Sequence, residues 1–184
     1  QRLSIMINDL FEMSKLQVGK FELDKRPVNL NELINKTATN LRPEVVKKGL
    51  KITLELEDGL PKTKVDKERM EQVFYNLLEN AVKYSTEGEI TIRSSTKKDL
   101  VVVEICDTGE GIPKPELSRS WDRFYRVEHS RGRKTGGTGL GLYVVKQIIE
   151  AHGGQIQVNS KLNEGTVFTI YLKTSKERVE GTKY

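Results

Sequence analysis

Asn76 and Asn80 stand four residues apart in the stretch MEQVFYNLLENAVKY, whose apolar residues recur with helical spacing. Asparagine is an indifferent helix former, because its side chain competes for backbone hydrogen bonds, so two of them in one helix invite a chemical reading. At about 100° per residue, Asn76, Glu79, Asn80 and Lys83 fall on one side, opposite the stripe Met70, Val73, Phe74, Leu77, Leu78, Ala81 and Val82. Amide oxygens at this spacing can reach one ion, and Mg2+ takes hard oxygen ligands that it shares with phosphates. Glu79 and Lys83 by themselves read as solvated helix surface. A second candidate is Asp107, which ends the apolar run LVVVEIC and is followed by Gly109 and Gly111. A carboxylate there is costly to bury unless it accepts hydrogen bonds. The exocyclic amine of a purine is one suitable donor, and the glycines would let the backbone approach a ring closely. A surface Asp-x-Gly turn accounts for the same residues equally well.

The segment GGTGLGL, residues 136–142, places four glycines in seven positions and runs into another apolar-periodic stretch. Glycine-rich turns that open a helix hold phosphates because unpaired backbone N–H groups point at the anion. This one is neither of the two familiar phosphate loops. No Gly-Lys-Ser/Thr follows it, and the third glycine of a dinucleotide fingerprint falls one place early. A flexible connector is the plain alternative. Between Pro113 and Gly136 lie seven basic residues against three acidic ones. Such a charge run is usually a solvated loop, and no nucleic-acid motif accompanies it. Beside a glycine turn it fits a compact phosphate ligand better than a duplex.

The elements that must position these groups follow from periodicity. With 184 residues, 36% of them hydrophobic, the chain can build one sizeable core. No apolar run has membrane-spanning length and no signal-peptide pattern is present, so a soluble domain is expected. Cys106 alone excludes an internal disulfide framework, and two scattered histidines offer no zinc cluster. Leu3, Met6, Leu10 and Met13 predict a helix over 1–18 that wants a partner, stopped at Gly19. A strand at 28–30, a helix over 31–48 that Pro43 is expected to kink or divide, and a strand over 51–57 come next. Asp66 caps the asparagine-bearing helix, which runs to 84. Strands at 89–95 and 100–106, a helix over 140–151 broken by Gly153-Gly154, and strands at 155–160 and 166–172 complete the order. Helices and strands that mix without strict alternation predict an α+β layer, a mixed sheet with helices on one face.

Five segments in this order resemble one family, the catalytic ATP-binding domain of sensor histidine kinases, in the GHKL superfamily shared with gyrase, the heat-shock chaperone ATPase and MutL. They are NLLENAVKYS (76–85), DTGEGI (107–112), WDRFYRV (121–127), GGTGLGL (136–142) and AHGGQIQVNS (151–160), closed by GTVFTIYL. The resemblance implies the Bergerat fold, a two-layer α/β sandwich with three helices on one face of a mixed sheet, preceded by an N-terminal helix. It divides the chain into the end of the second helix of a dimerisation hairpin (1–19), a linker (20–26), the ATP-binding domain (27–173) and a polar tail (174–184). It also assigns roles. Asn80 would bind Mg2+, with Asn76 assisting on the phosphate side and Lys83 reaching a phosphate. Tyr84 would lie near adenine, Asp107 would accept its amino group, and Gly109, Gly111 and Ile112 would form the turn under the base. Phe124 would anchor a lid from which Arg126, with Arg123, approaches the γ-phosphate. Gly137, Thr138, Gly139, Leu140, Gly141 and Leu142 would wrap the phosphates. Asn76, Asn80, Lys83 and Arg126 form the catalytic set.

Hydrolytic members of the superfamily carry a water-activating glutamate four residues before the metal-binding asparagine; here that position is Asn76. The family instead phosphorylates a histidine that is followed by an acidic residue, on the first helix of a dimeric hairpin. His129 and His152 have no acidic next neighbour. His152 reads as structural, His129 as lid surface, and the acceptor is expected upstream and outside this chain. Ser120 is polar where the family's lid is usually apolar, which implies a looser lid. The implied partners are ATP with Mg2+, the histidine-bearing hairpin of a homodimeric parent protein and a response regulator, without nucleic acid, in the cytoplasm. An ATP-binding module without transfer, and a serine or threonine kinase on the same fold, are the alternative readings.

Overall fold

The computed structural model describes residues 22–125 and 138–175. In chain order these form β1 (Lys25–Val28), α1 (Leu30–Lys47), β2 (Lys51–Leu56), β3 (Thr63–Asp66), α2 (Lys67–Tyr84), β4 (Glu89–Lys97) and β5 (Leu100–Asp107). Two short 3-10 turns follow at Lys114–Glu116 and Arg119–Trp121, then α3 (Gly141–Ala151), β6 (Gln155–Lys161) and β7 (Gly165–Lys173). The main sheet has the order β2-β4-β5-β7-β6 and is mixed: β2 runs parallel to β4, and the other neighbours are antiparallel. This is the expected α+β class, with three helices against a five-stranded sheet. The predicted helix over 1–18 lies outside the described residues.

The apolar stripe read on α2 is its buried face, and Phe74, Leu77 and Met70 reach complete burial. They meet Leu30, Ile34 and Leu41 of α1, Val145, Ile148 and Ile149 of α3, and Ile90, Ile92, Val103, Ile105 and Ile170 of the sheet in one core. Asp66 caps α2, its Oδ1 accepting from Arg69 N at 3.1 Å.

Two boundaries differ from the sequence reading. The strand expected at 28–30 is β1, which stops at Val28, because Asn29 caps α1 by accepting from Asn31 N at 3.0 Å. Leu30 is thereby helical and buried. Pro43 does not divide α1. Pro43 and Thr39, whose carbonyl loses its helical donor, both lie on the exposed side, where water can replace the missing bond. An element the sequence did not reveal is β3, which pairs antiparallel with β1 in a separate two-stranded sheet. Its four residues, TKVD, are too few and too polar for alternation to stand out.

His152 ties two helices together. Its Nε2 accepts from Asp66 N at 2.9 Å, so Nδ1 carries the proton and donates to Ile148 O at 2.7 Å. Burial pushes the imidazole pKa below its ordinary value, which keeps this neutral form. Gly153, at φ +71°, then turns the chain out of α3 in the left-handed conformation that favours glycine. Among the described residues, no helix is long and apolar enough to cross a membrane.

Candidate functional site

Asp107 is the last residue of β5, a strand flanked by β4 and β7. Its Oδ1 accepts from Gly109 N at 2.9 Å and from Thr166 N at 3.2 Å, which leaves Oδ2 for a ligand. Burial pushes the carboxyl pKa up to about 6, against the lowering effect of these two bonds. At neutral pH the group is therefore a largely ionised acceptor on the wall of a cavity of about 820 Å³, open mouth included. Asn80 and Tyr84 line that cavity from α2, and Glu110, Gly111, Ile112 and Pro113 from the turn after β5. Ser120, Tyr125, Leu142, Leu162, Thr166 and Phe168 complete the wall. The largely apolar lining with a few polar groups suits a small organic ligand.

The turn after β5 is fixed from both sides. Glu110 N donates to Tyr84 O at 3.1 Å, and Asn163 N donates to Glu110 O at 2.8 Å. A Cβ on Gly109 would come within 2.6 Å of Tyr84 O, and one on Gly111 within 2.1 Å of Lys161 O. The close approach that these glycines permit is made by the protein's own backbone. The C-terminal end of α2 is held as well: Lys48 Nζ donates to Val82 O at 2.6 Å, Lys83 O at 3.0 Å and Ser85 O at 3.2 Å. A cation on the last carbonyls of a helix also complements its dipole.

The cavity thus gathers Asn80, Tyr84, Asp107, Gly111, Ile112 and Leu142 of the sequence-derived set. Asn76 is half-buried and lies beside the start of α3, where a Cβ on Gly141 would be 4.0 Å from its Cγ. Lys83 Nζ stands 5.0 Å from the Tyr84 ring centroid. Leu140 turns its side chain into the core, and its N–H donates to Thr138 Oγ1 at 3.3 Å. α3 begins at Gly141 with no side-chain cap on its first N–H groups. Gly139 O accepts from Phe124 N at 3.1 Å, while the Phe124 ring is 58% exposed. The aromatic that packs this segment on the core is Trp121, edge-on to Phe168 with centroids 5.9 Å apart. Ser120 is buried, and its hydroxyl donates to Leu117 O at 2.7 Å, so its polarity is satisfied locally. Arg123 donates to Tyr143 Oη at 2.7 Å. Arg126, Gly137 and His129 lie outside the described residues.

Among the described residues no three His, Cys, Asp or Glu side chains gather for a metal. Asn80 offers an amide group at the cavity wall, a donor set that fits Mg2+ only if the ligand supplies most of the oxygens, as a phosphate chain does. Lys48, Ser160, Thr166 and Phe168 were not singled out from sequence. Thr166 and Phe168 lie inside GTVFTIYL, and the pairing of Thr166 with Asp107 across β5 and β7 is the signal that would have found the former.

Fold and cavity together define an α+β ligand-binding domain with helices packed against a mixed sheet. The family model described as "Histidine kinase-, DNA gyrase B-, and HSP90-like ATPase" matches residues 65–176. The chain is 38% identical to the sensor protein kinase WalK of Staphylococcus haemolyticus over 94% of its own length and 28% of that protein. It is 35% identical to the circadian input-output histidine kinase CikA of Synechococcus elongatus, over 91% of its own length and 22% of that protein. The full-length ShkA structure in complex with AMPPNP superposes with a TM-score of 0.83 at 27% identity, covering 94% of this chain and 36% of that one. The catalytic domain of the histidine kinase ThkA gives 0.72 at 27% identity, covering 82% and 96%. The chain therefore belongs to the histidine kinase-, gyrase B- and HSP90-like ATPase family, as a catalytic domain of the sensor histidine kinase type. It spans about a quarter of the length of the two curated relatives named here.

Proposed function

We propose that the domain binds Mg2+–ATP and transfers the γ-phosphate to a histidine on a dimerisation hairpin, from which a response regulator aspartate receives it. The observation that carries this is one cavity lined both by Asp107, at the end of β5, and by Asn80 of α2. The free Asp107 oxygen accepts from the adenine amine, and Tyr84, Ile112 and Leu142 supply the flat and apolar surfaces against the nucleotide. Asn80 holds Mg2+, which when bound neutralises phosphate charge. The uncapped first turn of α3 offers N–H groups to the phosphate chain, with Asn76 beside that turn, and Lys83 and Arg126 are assigned to the same phosphates. No carboxylate stands four residues before Asn80, so no side chain there activates water. Phosphoryl transfer rests on positioning and charge neutralisation, which this set supplies without such a base.

Residues 1–19 are read as the end of the hairpin's second helix, 20–26 as linker and 27–173 as the catalytic unit. The chain alone is expected to bind ATP and barely label itself. Mixed with a hairpin fragment bearing the acceptor histidine, it should produce acid-labile phosphate, and Asn80→Ala should abolish the label. Transfer that survives Asn80→Ala would overturn the metal assignment, and acid-stable phosphate would overturn histidine as the acceptor.

A further inference from the structure

The hydrogen bonds around Ser160, which touches the cavity-lining residues Ile112 and Thr166, have only one consistent direction. Ser160 Oγ lies 2.8 Å from Gly165 O, 2.9 Å from Thr166 Oγ1 and 2.7 Å from Ile112 N. A serine hydroxyl has one proton and two acceptor lone pairs. Gly165 O only accepts, so Ser160 donates its proton there. Ile112 N–H only donates, so it takes one lone pair. The other lone pair faces Thr166 Oγ1, so the Thr166 hydroxyl donates to Ser160. Ser160 is saturated, and Thr166 has used its only proton.

Thr166 stands directly opposite Asp107 in the β5–β7 register, so the two side chains share one face of the sheet, and both line the cavity. The Asp107 carboxylate also only accepts. We infer that Ser160 is a specificity-positioning residue: by taking the Thr166 proton it leaves the Asp107 and Thr166 side-chain oxygens as acceptors only. Set against C6 of a purine, these oxygens accept from an amine and repel an oxo group. Ser160 acts through Thr166 and does not itself touch the base.

The inference rests on the reading of this cavity as an ATP site, and affinities for ATP and inosine triphosphate separate the two. Calorimetric titration of the wild-type chain should show a clear preference for ATP. Ser160→Ala frees the Thr166 hydroxyl to donate to a 6-oxo group, and should shrink the ATP preference by roughly tenfold, the worth of about one hydrogen bond. Ile112 N also loses its acceptor in this variant, but that weakens both nucleotides alike and cancels in the ratio. Thr166→Val, which keeps the shape and removes the oxygen, should shrink the ratio too. Ser160→Ala should then add nothing in the Thr166→Val background. A ratio unchanged in Ser160→Ala, or still shifted by it when residue 166 is valine, overturns the assignment. Should Ser160→Ala fail to fold, an unchanged ratio in Thr166→Val overturns it equally. A wild-type chain that binds neither nucleotide removes the ATP reading, and the inference with it.

Discussion

Asp107 is placed where it is useful to a ligand and costly to the empty fold. Its carboxyl pKa rises from 3.8 to about 6 on burial, so the ionised form is the one the fold disfavours. The sign follows: stability is fully present below the unfolded pKa and is lost as pH rises through about 6. The shift corresponds to about 3 kcal/mol at neutral pH. Asp107→Asn keeps an oxygen for Gly109 N and Thr166 N and removes the charge. Its melting temperature should exceed that of the wild type at pH 8, and the difference should close at about pH 4. The same substitution should weaken ATP roughly 10- to 100-fold, because it loses a charge-assisted bond. Wild-type affinity should likewise fall as pH is lowered through about 6. An Asn variant that is no more stable at pH 8 would mean that the two backbone bonds already offset the burial.

At the scale of elements, α2 carries most of the proposed chemistry on its last turns, and one lysine from the neighbouring helix end secures them. Lys48→Met removes the ammonium from three carbonyls at 2.6–3.2 Å. Urea unfolding should register a loss of about 1–3 kcal/mol. ATP affinity should fall several-fold as well, since Asn80 and Tyr84 belong to the loosened end. Stability lost with affinity intact would show that the Glu110–Tyr84 backbone bond holds this end by itself. Lys48 also marks the limit of what could be read from sequence. The buried stripe of α2, the Asp66 cap and the strand that ends in Asp107 follow from local pattern, and local pattern was legible. So were Asn80 and Asp107 as candidates, because amides inside a helix and a carboxylate ending an apolar strand are conspicuous by type. Lys48, Ser160, Thr166 and β3 depend on which strands and helix ends lie side by side. Nothing within a few residues of them announces that.

For the molecule as a whole, the cavity wall contains a built-in reporter. Trp121 is the sole tryptophan of the chain, and it packs edge-on against Phe168, which lines the cavity. ATP titrated into the wild-type chain should shift the tryptophan emission with the same midpoint that calorimetry gives. Heat of binding without any emission change would place the nucleotide away from this wall. The sheet, α2 and α3 form one core, and Trp121, in a short 3-10 turn between β5 and α3, packs against it.

The bond from Phe124 N–H to Gly139 O draws together the two points where the chain departs toward residue 126 and returns from residue 137. Gly139, at φ +75°, would place a Cβ only 2.8 Å from the Phe124 carbonyl carbon, so the junction admits little else. With both ends clasped, each doubling of the chain length between them costs only about 0.6 kcal/mol more to close, so an insertion between residues 126 and 137 should leave the stability of the core nearly unchanged.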